Sequence, residues 1–202
     1  MSDGSLIVVI DDHESVRDSL RALLESSGLR VKDYASAVAY LEDGSIGDCV
    51  LVDVRMPQMT GLELQQELNK RNSAVPVIVI TGHGDVPLAV TAMRAGAFDF
   101  MEKPFDDDLL LDSIQRALAE GRKTVQTQTE SRAAAALIAA LTSREHEVLD
   151  HLVLGKSNKL IAHELGISPR TVETHRARLQ EKLKARGLSD LVRLTRAVDQ
   201  MH

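Results

Sequence analysis

The first 120 residues alternate between short apolar runs and amphipathic stretches. Leu6–Ile10, Cys49–Val52 and Val77–Ile80 are continuous and apolar, as expected of strands buried on both faces. Val31–Tyr34 and Phe98–Met101 are weaker runs of strand character. Between them, apolar residues recur at helical spacing. Val16, Leu20, Leu23 and Leu24 predict a helix stopped by Gly28, and Ser36 caps a short helix ending near Gly44. Further helices are predicted over Gly61–Arg71, over Val86–Ala95 before Gly96, and over Asp106–Glu120. Five such alternations imply a parallel sheet covered by helices on both faces, because right-handed crossovers leave little choice.

The remainder reads differently. Residues 121–131 are rich in Thr and Gln and nearly free of apolar side chains, the mark of a solvated linker or a frayed helix extension, and Arg132–Leu141 is Ala-rich and helical. Thr142 and Glu145 are spaced as a capping box ahead of a helix with Val148, Leu149 and Leu152 on its apolar face. A short helix over Asn158–Leu165 turns Leu160, Ile161 and Leu165 inward. Gly166-Ile167-Ser168 is a tight turn, with Ser168 as cap and Pro169 at the first position of a helix reaching Leu183. A last helix spans Ser189–Val198. Two short helices joined by a Gly-containing turn match a helix-turn-helix. In the second of them Val172, His175, Leu179 and Leu183 form one stripe, so His175 is expected in the core with a hydrogen bond. Arg170, Thr171, Glu173, Thr174, Ala177 and Arg178 face elsewhere. They are either ordinary surface residues or the groove-reading part of the motif.

Charge sharpens this division. Residues 1–120 carry 10 Lys+Arg and 21 Asp+Glu, a net of -11, and residues 121–202 carry 14 and 9, a net of +5, within a chain total of -6. An acidic module joined to a basic one suggests nucleic-acid binding by the second. Aromatics are only 2%, which argues against a stacking platform for single strands. No apolar run approaches the roughly 20 residues of a membrane span, and the N-terminus lacks signal-peptide character, so a cytoplasmic protein with no membrane partner is expected. Cys49, inside a strand run, is expected to be a small core residue.

The candidate chemistry lies at strand ends. Asp11 and Asp12 end the first strand, Asp53 the third and Thr81 the fourth, while Lys103 follows the fifth. In a parallel sheet these ends share one edge, where ligands bind. Asp53 alone is readable as a helix cap, a metal ligand or a nucleophile. With three carboxylates, a hydroxyl and an ammonium together, the set suits Mg²⁺ and a phosphoryl group, with Asp53 as nucleophile. His13 and His83 are near the edge without metal-ligand spacing.

Residues 6–120 resemble the receiver domain of bacterial two-component response regulators. The resemblance is carried by Asp11-Asp12, the Asp53-Val-Arg-Met-Pro57 turn with Gly61, Thr81-Gly82 and Lys103-Pro104. The stretch from Thr81 to Pro87, with Glu102–Phe105, is similar to the FixJ type, named for control of nitrogen-fixation genes. Residues 141–196 resemble the LuxR/FixJ-type DNA-binding domain through Leu141–Glu145, Ser157–Lys159, Ile161-Ala162, Ile167–Glu173 and His175. The resemblance implies a flavodoxin-like sheet of order 2-1-3-4-5 in a receiver over 1–120, a linker over 121–140 and an all-α helix-turn-helix domain over 141–202. It also implies Asp53 as phosphoacceptor, Mg²⁺ on Asp11, Asp12, Asp53 and the Arg55 carbonyl, and Thr81 and Lys103 on the phosphoryl oxygens. Phe100 stands at the switch position, and Val90, Arg94 and Asp99 lie on the dimer face. Lys159, Arg170 and Arg178 are expected at phosphates or the groove wall, and Thr171, Glu173, Thr174 and Ala177 at base edges. The expected partners are a histidine kinase, promoter DNA, RNA polymerase and, after phosphorylation, a second copy of the chain. The expected outcome is transcriptional regulation, in the sense of activation.

Two other readings stand beside this one. A phosphohydrolase of the haloacid dehalogenase type needs a second Asp two residues after the nucleophile. Arg55 occupies that position, so only weak self-dephosphorylation rather than enzymatic turnover is expected. A constitutive DNA binder with a passive receiver would have little use for the full set of site residues.

Overall fold

The computed structural model describes residues 4–82 and 86–199. Two compact units divide between Thr124 and Val125.

In the first unit the strands are β1 (Leu6–Ile10), β2 (Arg30–Tyr34), β3 (Cys49–Asp53), β4 (Val77–Thr81) and β5 (Asp99–Glu102). They form a parallel sheet in the order β2-β1-β3-β4-β5. Helices α1 (Glu14–Ser26), α2 (Ala37–Asp43), α3 (Gly61–Lys70), α4 (Val86–Arg94) and α5 (Asp107–Ala139) connect and follow them. Every residue of β3 and β4 is buried, as their unbroken apolar runs demand. One face of the sheet packs Val8, Val52 and Val79 against Leu64, Leu68 and Ala92. The other packs Ile7, Leu51 and Ile78 against Leu20, Leu24, Leu110 and Ile114. Cys49 is wholly buried, and burial pushes its thiol up to about 12, so it is a core residue and no nucleophile.

Helix α5 does not end near Glu120 but continues through the Thr/Gln-rich stretch to Ala139. Polar side chains in that stretch support the helix locally. Gln126 donates to Glu130 at 3.0 Å, and the Thr124 and Thr129 hydroxyls donate to carbonyls one turn back. Strand β5 begins one residue later than expected, at Asp99.

The second unit holds α6 (Ser143–Val153), α7 (Asn158–Leu165), α8 (Pro169–Lys182) and α9 (Leu188–Asp199). Its core joins Val148, Leu149, Leu152, Ile161, Val172, Leu179, Leu183 and Leu191. The capping box of Thr142 and Glu145 is present, and Ser157 and Ser168 cap α7 and α8. Gly166, at φ 65°, makes the left-handed turn between these two helices. Leu160 does not face inward and is 44% exposed. The inward stripe of this short helix runs through Ile161, Ala162 and Leu165, leaving Leu160 beside it. Among the described residues, no helix is long and apolar enough to cross a membrane.

Candidate functional site

Asp11, Asp53 and Thr81 are buried at the C-terminal edge of the sheet. Thr60, not Asp53, caps α3, through a complete capping box with Glu63. Asp53 Oδ2 instead accepts the backbone N–H of Arg55 at 2.6 Å, which points Oδ1 toward Lys103 Nζ at 2.8 Å. Gly61 makes room for this turn, since a Cβ there would stand 2.4 Å from the Asp53 carbonyl oxygen. Lys103 is held by its own N–H, which donates to the Thr81 carbonyl at 2.7 Å, and its Nζ also reaches Asp11 Oδ2 at 2.6 Å. Burial by itself would lower the Lys103 ammonium. The hydrogen bonds it donates to Asp11 and Asp53 outweigh that and raise it above the usual lysine value.

The acidic end of β1 is equally ordered. Asp11 Oδ1 accepts the His13 N–H at 2.9 Å. Arg17, on α1, donates to the Asp11 carbonyl at 2.8 Å and to Asp33 Oδ2 at 3.0 Å. Asp11, Asp12 and His13 each offer an atom that can hold a metal, all within 4.8 Å of one another. Asp12 Oδ1 is shielded from solvent and has no hydrogen-bond partner among the described residues. A buried carboxylate oxygen left without a donor fits a cation site. His83, which the sequence places near this edge, lies outside the described residues.

The exposed face of α4 carries Val86, Val90 and Met93, three apolar residues on one stripe, with Arg94 exposed beside them. Phe100 is half-buried against the core that contains Val79 and Ala92. Asp99 is already engaged: Oδ2 accepts from Ser113 at 2.6 Å and from Arg116 at 3.1 Å, both on α5.

In the second unit Lys159, Arg170, Glu173, Thr174, Ala177 and Arg178 are exposed, and Thr171 is half-buried. The Thr171 hydroxyl lies 2.8 Å from Ser168 Oγ, and the Thr174 hydroxyl donates to the Arg170 carbonyl at 3.1 Å. Both are therefore partly committed to the helix itself. His175 is only half-buried, and its shielded Nδ1 lacks the expected hydrogen bond among the described residues.

Residues 7–115 match the family model of the response regulator receiver domain, and residues 139–195 match that of bacterial regulatory proteins of the luxR family. The chain belongs to the two-component response regulators. It is 48% identical to the transcriptional regulatory protein FixJ of Azorhizobium caulinodans, over 96% of this chain and 93% of that protein. Among solved structures, that of the response regulator StyR has a TM-score of 0.80 at 39% identity, covering 96% of this chain and 99% of that one. Full-length FixJ from B. japonicum has a TM-score of 0.59 at 44% identity, covering 98% of each chain. This response regulator joins a receiver to a LuxR-type DNA-binding domain and acts in transcription regulation, which implies a kinase and DNA as partners. Its structure also adds residues that sequence reasoning passed over: Arg17 behind Asp11, and Ser113 and Arg116 behind Asp99. Arg17 sits three residues into α1, where a long cation is placed to reach back toward the strand end. The Asp99 partners carry no such local signal, because they come from α5, 14 and 17 residues further along the chain.

Proposed function

We propose that Asp53 is the phosphoacceptor of this response regulator, and that its phosphorylation drives dimerisation through the α4–β5 face and binding to promoter DNA. The observation that carries this reading is the bridge of Lys103 Nζ between Asp53 and Asp11. It sets a fixed positive charge beside Asp53 Oδ1, the carboxylate oxygen that the Arg55 N–H does not take. An Asp53 oxygen bonds to phosphorus as the bond to the kinase's histidine nitrogen breaks, leaving an aspartyl phosphate. Lys103 and the Thr81 hydroxyl take its oxygens. Asp11, Asp12, Asp53 and the Arg55 carbonyl would hold Mg²⁺, which supplies charge neutralisation when bound. A cleft of about 440 Å³ beside Lys103, lined by Val16, Leu20, Leu23 and Phe105, supports docking of the kinase here.

The new charge of about -1.5 to -2 draws Thr81 toward it, and Phe100 turns into the space. The exposed Val86, Val90 and Met93 stripe supports dimerisation on this face, with Arg94 and Asp99 at its edge. In the dimer two α8 helices present Glu173, Thr174, Ala177 and Thr171 to base edges, with Glu173 suited to a cytosine amine. Lys159, Arg170 and Arg178 meet phosphates. RNA polymerase recruitment, and hence activation, completes the scheme.

The test is phosphorylation of the full chain by a small phosphodonor with Mg²⁺. Asp53→Asn keeps the shape of the side chain and removes the nucleophile, so it takes no label. A labelled Asp53→Asn protein overturns the assignment.

A further inference from the structure

We infer that Lys156 is a DNA-phosphate contact held in reserve by His151 and Glu164, and that protonation of the His151 ring releases it, so that DNA is held by one more cation as pH falls. The inference rests on the proposed contact of the helix-turn-helix with DNA and adds to it a residue and its control. Lys156 stands immediately before Ser157, the N-cap of α7. The first helix of a helix-turn-helix crosses the DNA backbone, and a helix N-terminus favours phosphate. The Lys156 ammonium is engaged elsewhere. Its Nζ lies 2.6 Å from Oε2 of Glu164, in the last turn of α7, and 3.0 Å from Nδ1 of His151, in the last turn of α6. The His151, Lys156 and Glu164 side chains are 22%, 26% and 33% exposed, so these bonds are better shielded than a pair on open surface.

The chemistry of the three groups fixes the proton. An ammonium has three donors and no acceptor, so His151 Nδ1 must accept from it. The ring proton then sits on Nε2, and the ring is neutral. Glu164 Oε2 lies 3.2 Å from the same Nδ1. Both atoms are acceptors, and the ammonium they share is what holds them together. Protonation of Nδ1 reverses this pattern. The ring becomes a donor to Glu164 and meets the Lys156 ammonium as a like charge. The ring is fixed on α6, whereas the lysine ends a flexible four-carbon stem in the loop between α6 and α7. The lysine is therefore the group that leaves. Glu164 remains an anion throughout, because the Lys156 hydrogen bond holds its carboxyl below the ordinary value and the imidazolium then replaces that bond.

The neighbouring charges do not take over either role. On the same helix, Glu147 is paired with Arg144. On α7, His163 acts on Glu164 only through space. Helices α8 and α9 also pack against α6, but Lys182 of α8 is held by Glu145 and Asp190 of α9 by Arg193. Among the described residues, neither helix brings a carboxylate within ion-pair distance of His151.

The experiment uses the full chain treated with a small phosphodonor and Mg²⁺, and a labelled duplex of mixed sequence. Fluorescence anisotropy gives the affinity across a salt series at about pH 8 and about pH 5, the range over which histidine changes charge. His151→Gln keeps an acceptor for Lys156 and cannot be protonated, and Lys156→Met lacks the cation. Each phosphate contact adds about 0.9 to the slope of log affinity against log salt. On acidification the native slope is expected to steepen by about that much per bound chain more than the slope of either variant, since the other histidines are common to all three. Nitrogen chemical shifts of the His151 ring in the DNA-free chain are expected to show Nε2–H at the higher pH. A proton on Nδ1 there overturns the inference, as does a native slope that steepens no more than that of His151→Gln. A Lys156→Met slope that steepens like the native one shows that the cluster only fastens α6 to α7, and overturns it too. In each of these cases DNA binding itself stands. A native chain that binds no duplex at either pH overturns the DNA reading as well.

Discussion

The Arg17 guanidinium donates to the backbone carbonyl of Asp11 at 2.8 Å, while its Nε donates to Asp33 Oδ2 at 3.0 Å. The side chain is only 13% exposed. One residue of α1 thus clamps the end of β1 to β2, and the clamp sets where the Asp11 and Asp12 carboxylates stand. Arg17→Ala is expected to weaken Mg²⁺ binding about tenfold, the scale of an outer-shell loss. It also costs about 1–3 kcal/mol of stability. Arg17→Lys cannot make both bonds and should recover stability more than metal affinity. Calorimetric Mg²⁺ titration beside urea unfolding separates the two effects. Full metal affinity in Arg17→Ala would remove the clamp from the account.

Lys103 offsets part of the charge of Asp11 and Asp53, so it and a bound cation do overlapping work. Replacing it by Met leaves two buried carboxylates facing each other. Lys103→Met should lower the thermal midpoint without Mg²⁺ and gain a larger upward shift when Mg²⁺ is added. Parallel thermal scans of both proteins read this. An identical Mg²⁺ shift in the two would show that Lys103 does not offset the site's charge.

Asp99 presents a different competition. It is proposed for the dimer face, yet its carboxylate is held by Ser113 and Arg116 of its own chain. Arg116→Ala releases one of these bonds and should tighten the phosphorylated dimer by no more than about fivefold, since exposed pairs contribute about 0–1 kcal/mol. Val90→Asp, by contrast, puts a charge on the apolar stripe and should keep the phosphorylated protein monomeric. Sedimentation of both variants decides. A full-strength Val90→Asp dimer excludes this face.

In the second unit Glu145 is buried and accepts from Lys182 Nζ at 2.7 Å and from the Thr142 N–H at 2.8 Å. The Lys182 ammonium, and then the Thr142 N–H, lower its carboxyl from 4.5 to about 2. As pH falls, the unfolded chain binds this proton first. The stabilisation is therefore complete above 4.5 and is lost as pH falls through about 2. Glu145→Gln keeps a capping residue and removes the charge. Hydrogen exchange of α6 and α8 should then respond less steeply to pH across that window. An unchanged slope would show that the pair does not set acid stability.

The apolar runs alone determined that this chain folds as alternating strands and helices followed by a small helical unit, because burial on two faces leaves an unbroken run and burial on one leaves a period. The candidate site was legible for a related reason. Asp11, Asp53 and Thr81 end their strands, and parallel strands bring such ends to one edge whatever else the chain does. The register of that edge, however, belonged to the tertiary structure. Lys103 meets Asp11 and Asp53 only once β4 has set the height of the loop after β5. The ties of Asp99 to α5 and of Lys182 to Glu145 join elements whose separation no local pattern encodes. The same holds where the pattern left alternatives open. Composition allowed residues 121–131 to be a solvated linker or a helix extension, and polar pairs one turn apart, as of Gln126 and Glu130, support the helix. Leu160 fits a helical period, yet which side of a two-turn helix faces the core was decided by the packing of Ile161, Ala162 and Leu165.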